Sequence, residues 1–333
     1  MTSFELICIL TNRGSDFLNT KKGYKLWYKQ PAKQWTQGLP VGNGRLGAMV
    51  FGKVNNDRLQ LNEDSVWFGG VVQGDNPDAL EYLPEVRRLL MEGRQQEAED
   101  LAQMSMMSLP KSLRPYHPLA DFNMWYDGDK PKTSDYYREL DIEKAIAQVS
   151  YRANGVLHTR EVFSSAVDQV LVMRITSEKD DLNIRFNYSR RPFDYPTQRI
   201  APDTIELRGK QGEDGVEFCT AAKITAEGGT VKPIGDFISV KNARSITVYI
   251  AAATTFRHDD PHAECIRCLE NASAQNYEQL KQAHIREHAK AFDRVKLNLG
   301  KTEAASIGAS LPTDERLERF QQGEEDEGLI ELY

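Results

Sequence analysis

Between Gly23 and Phe256 the apolar residues fall in short runs, many at every second position, separated by Gly, Asn, Asp and Pro. A side-chain period of two belongs to strands with one face on a core, so this stretch predicts antiparallel β-structure. The clearest case is 147–163, where Val149 and Tyr151 alternate with polar neighbours and Asn154-Gly155 supplies the two positive-φ positions of a type I′ hairpin turn. Further strands are predicted over 170–176, 183–189, 204–208, 216–225, 237–241 and 245–255. Strands at such spacing, with no helices between them, predict a sandwich and not a doubly wound sheet.

The period changes in three places. Over 78–106, Leu83, Val86, Leu89, Leu90, Ala98, Leu101 and Ala102 recur at helical spacing, with Pro84 tolerated in a first turn, which predicts one or two inserted helices. After Pro261 the stretch 264–292 reads as one helix, then 295–299 as a last strand before Gly300, and 304–310 as a small-residue linker. Helices are predicted to start over 313–322 and 326–333, the second behind Glu324, Glu325 and Asp326, where the helix dipole favours negative charge. The apolar face of Leu329, Ile330, Leu332 and Tyr333 stops without a cap, so the expectation is that further sequence belongs after it.

Composition narrows the function classes. With 333 residues, 40% of them hydrophobic, the chain can bury a large core and is not disordered in the main. Its net charge is −7 with no basic stripe, which argues against a nucleic-acid partner. No run of about 18 apolar residues occurs, so no membrane-spanning helix is expected. The short apolar patch from Phe4 to Leu10 is interrupted by Glu5 and follows no basic residue, so it is not read as a signal peptide. Cys8, Cys219, Cys265 and Cys268 are too few for a disulfide framework and are expected as buried free thiols.

Two motifs look chemical and are read otherwise. Gly42-Asn43-Gly44-Arg45-Leu46-Gly47 fits G-x-G-x-x-G, but a strand and not a helix is expected after it, so the glycines are assigned to a tight turn and no dinucleotide is expected. Cys265-x₂-Cys268 and His284-x₃-His288, fifteen residues apart, match zinc-finger spacing. The expected helix lacks the hairpin that would aim two thiolates at one metal, so packed cysteines and surface histidines are expected, with no metal site and no cofactor.

A third stretch carries the functional expectation. Residues 59–70 end a strand in Asn62, Glu63, Asp64 and Ser65, followed by Trp67-Phe68 and two glycines. Amides and carboxylates can hydrogen-bond sugar hydroxyls while an indole covers the apolar ring face; a capped turn under a core tryptophan is the plainer alternative. Trp35-Thr36-Gln37-Gly38-Leu39-Pro40-Val41-Gly42-Asn43-Gly44-Arg45-Leu46-Gly47-Ala48-Met49-Val50-Phe51-Gly52, followed by Leu61-Asn62-Glu63-Asp64-Ser65-Val66-Trp67, closely resembles the opening of glycoside hydrolase family 95. Tyr116-His117-Pro118-Leu119-Ala120-Asp121-Phe122 is similar to that family's Y-x-P-L-G-D-L stretch, with Ala120 in place of glycine. His288 to Gly300 resembles its H-x-x-x-F-x-R-V-x-L-x-L-G exit strand, and Leu311-Pro312-Thr313-Asp314-Glu315-Arg316-Leu317 the start of its helical region.

The resemblance implies a mainly β fold: an N-terminal β-super-sandwich with a helical insertion, a helical linker, and the first helices of an incomplete (α/α)₆ barrel. The corresponding bounds are an unmatched tail over 1–24, the sandwich over 25–258, the linker and exit strand over 259–300, and the barrel start over 301–333. It implies inverting hydrolysis of terminal α-1,2-linked L-fucose, or sometimes α-L-galactose, and an extracytoplasmic location. The general acid and the water-activating asparagine and aspartate lie in the family's barrel, so no catalytic residue is expected here and the chain alone is expected to be inactive. Asn62, Glu63, Ser65 and Trp67 are expected to form a lip over the barrel mouth that holds the aglycone sugar. The expected partners are a fucosylated glycan and the catalytic barrel, without which the chain is expected to associate or dissolve poorly. Rival expectations are a free-standing carbohydrate-binding or structural sandwich and, third, zinc-dependent folding.

Overall fold

The computed structural model describes residues 24–191, 195–297, 299 and 310–333. Cys8 and the patch from Phe4 to Leu10 lie outside the described residues, as do most of the predicted linker and part of the predicted last strand. Two antiparallel sheets account for most of the fold. The seven-stranded sheet contains β2 (Leu39–Gly42), β3 (Leu46–Val50), β4 (Asn56–Glu63), β5 (Ala120–Tyr126), β10 (Leu182–Ser189), β14 (Thr230–Ile234) and β15 (Phe237–Ala243), in the order β14-β15-β10-β5-β4-β3-β2. The nine-stranded sheet contains β1 (Lys25–Tyr28), β6 (Thr133–Asp141), β7 (Ile146–Ala153), β8 (Val156–Ser165), β9 (Val170–Ser177), β11 (Gln198–Ala201), β12 (Thr204–Lys210), β13 (Glu217–Glu227) and β16 (Ser245–Thr254), in the order β1-β6-β7-β8-β9-β16-β13-β12-β11.

The sheets pack face to face over one core, in which Leu59, Leu61, Phe122 and Phe186 of one sheet meet Val149, Val162, Ile224 and Val248 of the other. The predicted hairpin is present: Ala153 pairs with Val156, and Asn154 and Gly155 take φ of 50° and 83°. The glycine stretch 42–47 is a turn between two strands, with Gly44 at φ 91°, so no helix follows to receive a pyrophosphate.

The inserted helices are α1 (Ala79–Met91) and α2 (Gln95–Ser105). Pro84 lies inside α1 and not in its first turn, because the helix begins at Ala79, five residues before it. Two helices follow the sandwich, α3 (Pro261–Ser273) and α4 (Tyr277–Phe292), and they correct the single helix predicted over 264–292. The break is a capping box: the Asn276 side chain accepts from Glu278 N at 2.8 Å, and Gln279 Oε1 accepts from Asn276 N at 3.3 Å. Both helices lie on the outer face of the nine-stranded sheet, where Phe163, Val172, Ala251, Cys265, Leu269 and Leu280 form a second core. All ten residues of β16 are therefore buried, and its pattern does not alternate.

The last strand predicted over 295–299 does not form among the described residues. The segment passes beside β1, where the Tyr24 hydroxyl donates to Leu297 O at 3.1 Å. The Trp27 N–H of β1 is taken instead by Thr313 Oγ1, at 2.9 Å, from the start of α5 (Thr313–Gln321). Its successor, α6 (Glu327–Leu332), is tied to α5 through Arg316, whose Nε and Nη2 donate to the two carboxylate oxygens of Asp326, each at 2.8 Å. Among the described residues no helix is long and apolar enough to cross a membrane.

Candidate functional site

The end of β4 and the turn after it form the candidate site. In β4, residues 57, 59, 61 and 63 face inward. The inward set therefore begins and ends with a carboxylate, Asp57 and Glu63, around two leucines. Glu63 is 1% exposed, so its charge needs partners. Ser65 N and Oγ donate to Glu63 Oε2 at 2.8 and 2.6 Å, while Arg45 and Arg257 approach Oε1 at 3.5 and 3.3 Å. Ser65 Oγ also meets Thr254 Oγ1 at 2.6 Å, and Arg45 Nη1 donates to Ala252 O at 2.6 Å, so both contacts reach β16 in the opposite sheet.

Asp64, in the turn after β4, is exposed, and its two oxygens receive Arg257 Nη1 and Nη2 at 2.7 and 2.8 Å. That bidentate pair raises the Arg257 guanidinium pKa further above its ordinary value. Trp67 forms an isolated bridge with Tyr116, and their rings lie 5.0 Å apart. The Tyr116 hydroxyl donates to Asn62 Oδ1 and Glu63 O, both at 2.7 Å. Burial, opposed by the Asn62 hydrogen bond and aided by the charges of Glu63 and Asp64, raises the Tyr116 pKa, so the phenol stays protonated and donates.

The four residues singled out in the sequence thus lie on one turn but face two ways. Asn62 and Trp67, the latter 42% exposed, are open to solvent together with Tyr116 and Phe256; Glu63 and Ser65 are inside and hold the turn to the nine-stranded sheet. Sequence reasoning did not single out Arg45, Tyr116, Thr254 or Arg257. Arg45 and Tyr116 stand in the quoted stretches 42–47 and 116–122, which offered a signal; nothing local marks Thr254 or Arg257. The surface offers amide, carboxylate, guanidinium and phenol groups beside indole and phenyl faces, the combination that binds sugars. Glu63 and Asp64 are both hydrogen-bonded to arginine.

The zinc-finger spacing does not assemble. His284 Nε2 faces the carbonyls of Lys144 and Ala145 at 3.0 and 3.2 Å, and His288 Nε2 that of Ile142 at 2.9 Å. Cys265 Sγ instead donates to Cys219 O at 3.5 Å, and Cys268 Sγ to Glu264 Oε1 at 3.4 Å. Cys219, Cys265 and Cys268 are buried free thiols; burial pushes Cys268 up to about 11.

Residues 26–259 match the family described as glycosyl hydrolase family 65, N-terminal domain. The chain belongs to that family. After this family 65 N-terminal domain, residues 276–333 match the glycosyl hydrolase family 95 catalytic domain, in line with the family 95 resemblance of the sequence. The chain is 29% identical to Alpha-L-fucosidase 2 of Arabidopsis thaliana over 92% of its own length, and 26% identical to the Probable alpha-fucosidase A of Aspergillus oryzae over 86%. It spans about 40% of the length of these curated relatives. Among solved structures, a putative kojibiose phosphorylase from the human microbiome is similar at 9% identity and a TM-score of 0.49, over 81% of this chain and 39% of the other.

Proposed function

We propose that the chain is the N-terminal part of an inverting fucosidase-type glycoside hydrolase acting on terminal α-1,2-linked L-fucose, and that the turn over 62–67 is a lip for the aglycone sugar. Asn62 and Trp67 touch the glycan, with Tyr116 beside them, while Glu63 and Ser65 hold the turn in place. The observation that carries this reading is the exposed aromatic and polar surface anchored by a fully buried Glu63. Inversion requires an acid and a base roughly 6.5–9.5 Å apart across the scissile bond. The acidic residues of this surface are held by arginines, so we infer that acid and base come from a catalytic barrel and that these 333 residues alone do not release fucose.

The test is an incubation of the purified chain with 2′-fucosyllactose, read for free fucose and for tryptophan fluorescence. No fucose release is expected, and release would overturn the inactive reading. In a chimera carrying the catalytic domain of the plant relative, Trp67→Ala and Asn62→Ala are expected to raise KM with little change in kcat; an unchanged KM rejects the lip. The exposure of Trp67 and Phe256 in this chain favours one second reading, a free-standing glycan-binding sandwich, and saturable quenching by the chain alone would support it.

A further inference from the structure

On the far side of the nine-stranded sheet the fold assembles a donor set that no spacing in the sequence announces. Strands β12 and β13 pair with Arg208 opposite Cys219 and Glu206 opposite Ala221, so Glu206 and Cys219 are diagonal neighbours on one face. Ile205, Leu207 and Phe218 take the opposite face, into the core between the sheets, which leaves Glu206 and Cys219 turned toward α3. That helix starts at Pro261 behind the Asp260 cap, and its second residue, His262, overhangs the pair. His262 Nδ1 lies 2.6 Å from Glu206 Oε2, and Cys219 Sγ lies 3.5 Å from the same oxygen. The three ligand atoms all fall within 4.8 Å of one another.

Glu206 and Cys219 are 2% and 1% exposed, so a carboxylate is held out of water beside a thiol. The nearest guanidinium or ammonium group among the described residues is that of the half-exposed Arg208, 3.9 Å from Glu206 Oε1. A carboxylate so buried is costly unless a full positive charge meets it. A cavity of about 250 Å³ opens beside Cys219, lined by Arg208, Phe218 and Pro261 among others, and gives this place a route to solvent.

We propose that Glu206, Cys219 and His262 form a site for a divalent cation of the zinc class. Carboxylate, thiolate and imidazole are the ligands such an ion takes, and three of them leave a fourth position open. On binding, the Cys219 thiol gives up its proton to solvent, and the imidazole carries its proton on Nε2 so that Nδ1 can donate its lone pair. The charges of Glu206 and the new thiolate then balance the cation. Because its ligands come from β12, β13 and α3, the ion would fasten the helix after the sandwich to the outer strands of the sheet. The residues of the zinc-finger spacing are not part of this set: Cys265 packs against Cys219, while His284 and His288 are occupied elsewhere.

The experiment is a cobalt(II) titration of the tag-free, chelator-treated chain, followed by absorbance, with proton release and melting temperature measured on adding zinc. The expected results are one ion per chain, a near-ultraviolet thiolate-to-cobalt band, about one proton released, and a higher Tm. Cys219→Ser and His262→Gln are expected to abolish the band, and Cys268→Ser to keep it. Should Cys219→Ser fail to fold, His262→Gln decides, because its side chain sits at the partly exposed rim of the cluster. A wild-type chain without the band, or a band unchanged in His262→Gln, overturns the site.

Discussion

Strand β4 carries a second inward carboxylate, Asp57, whose partner tests how the two sheets are joined. Arg160 of β8 in the opposite sheet donates to Asp57 Oδ2, and its Nη2 donates to the Tyr126 hydroxyl at 2.8 Å. The side chains are 0% and 1% exposed, so water screens neither charge. Removing both ions from water costs several kcal/mol each, which their attraction offsets only while both are present. In Asp57→Ala the guanidinium keeps the Tyr126 hydroxyl and, at 3.5 Å, Lys53 O, both neutral. The expected loss is about 3–5 kcal/mol, a large share of the ~5–15 kcal/mol typical of a folded domain. Replacing both partners, as Asp57→Leu with Arg160→Met, removes the stranded charge and is expected to fall between neutral and about 2 kcal/mol destabilising, once imperfect repacking is allowed for. Equilibrium urea unfolding of the wild type, both single variants and the double variant gives the coupling energy directly. A loss below about 1 kcal/mol for Asp57→Ala, or a double variant as unstable as the sum of the singles, would refute the reasoning.

Two further predictions concern local structure. Gly155→Ala places a β-carbon in open space but at φ 83°, so the cost is conformational alone, about 1–2 kcal/mol by the same unfolding assay; no loss would contradict the turn assignment. Asp326 is held below its ordinary 3.8, first by the hydrogen bonds from Arg316 and then by the backbone N–H of Leu329. A folded-state pKa below the unfolded one means that this contribution is complete above about pH 4–5 and is lost as the pH falls through the folded value. The melting temperatures of wild type and Asp326→Asn should therefore converge in acid, and a gap that stays constant with pH would count against the pairing.

Much of the architecture was legible in local pattern. Period-two runs marked the strands, Asn154-Gly155 marked the hairpin, and Asp326 marked the start of the last helix, because each is set by residues within a few positions of one another. The capping box at Asn276 was legible too, though an unbroken polar-apolar pattern over 264–292 masked it. The exposed half of the candidate site was readable from Asn62 and Trp67 beside a matched motif. Its buried half was not, since Glu63 and its partner Arg257 are 194 positions apart.

Outside 264–299, the sequence by itself determined most of the segments that extend, coil and turn, since backbone preference and side-chain period are local properties. Only the tertiary structure decided which charges went inside and which thiols met which imidazole. β16 shows the reason: with a sheet face on one side and helices on the other, all its residues are buried, whatever their order. Asp57 with Arg160, and Glu206 with Cys219 and His262, are likewise products of strand register and helix placement, which bring together residues that no spacing along the chain connects.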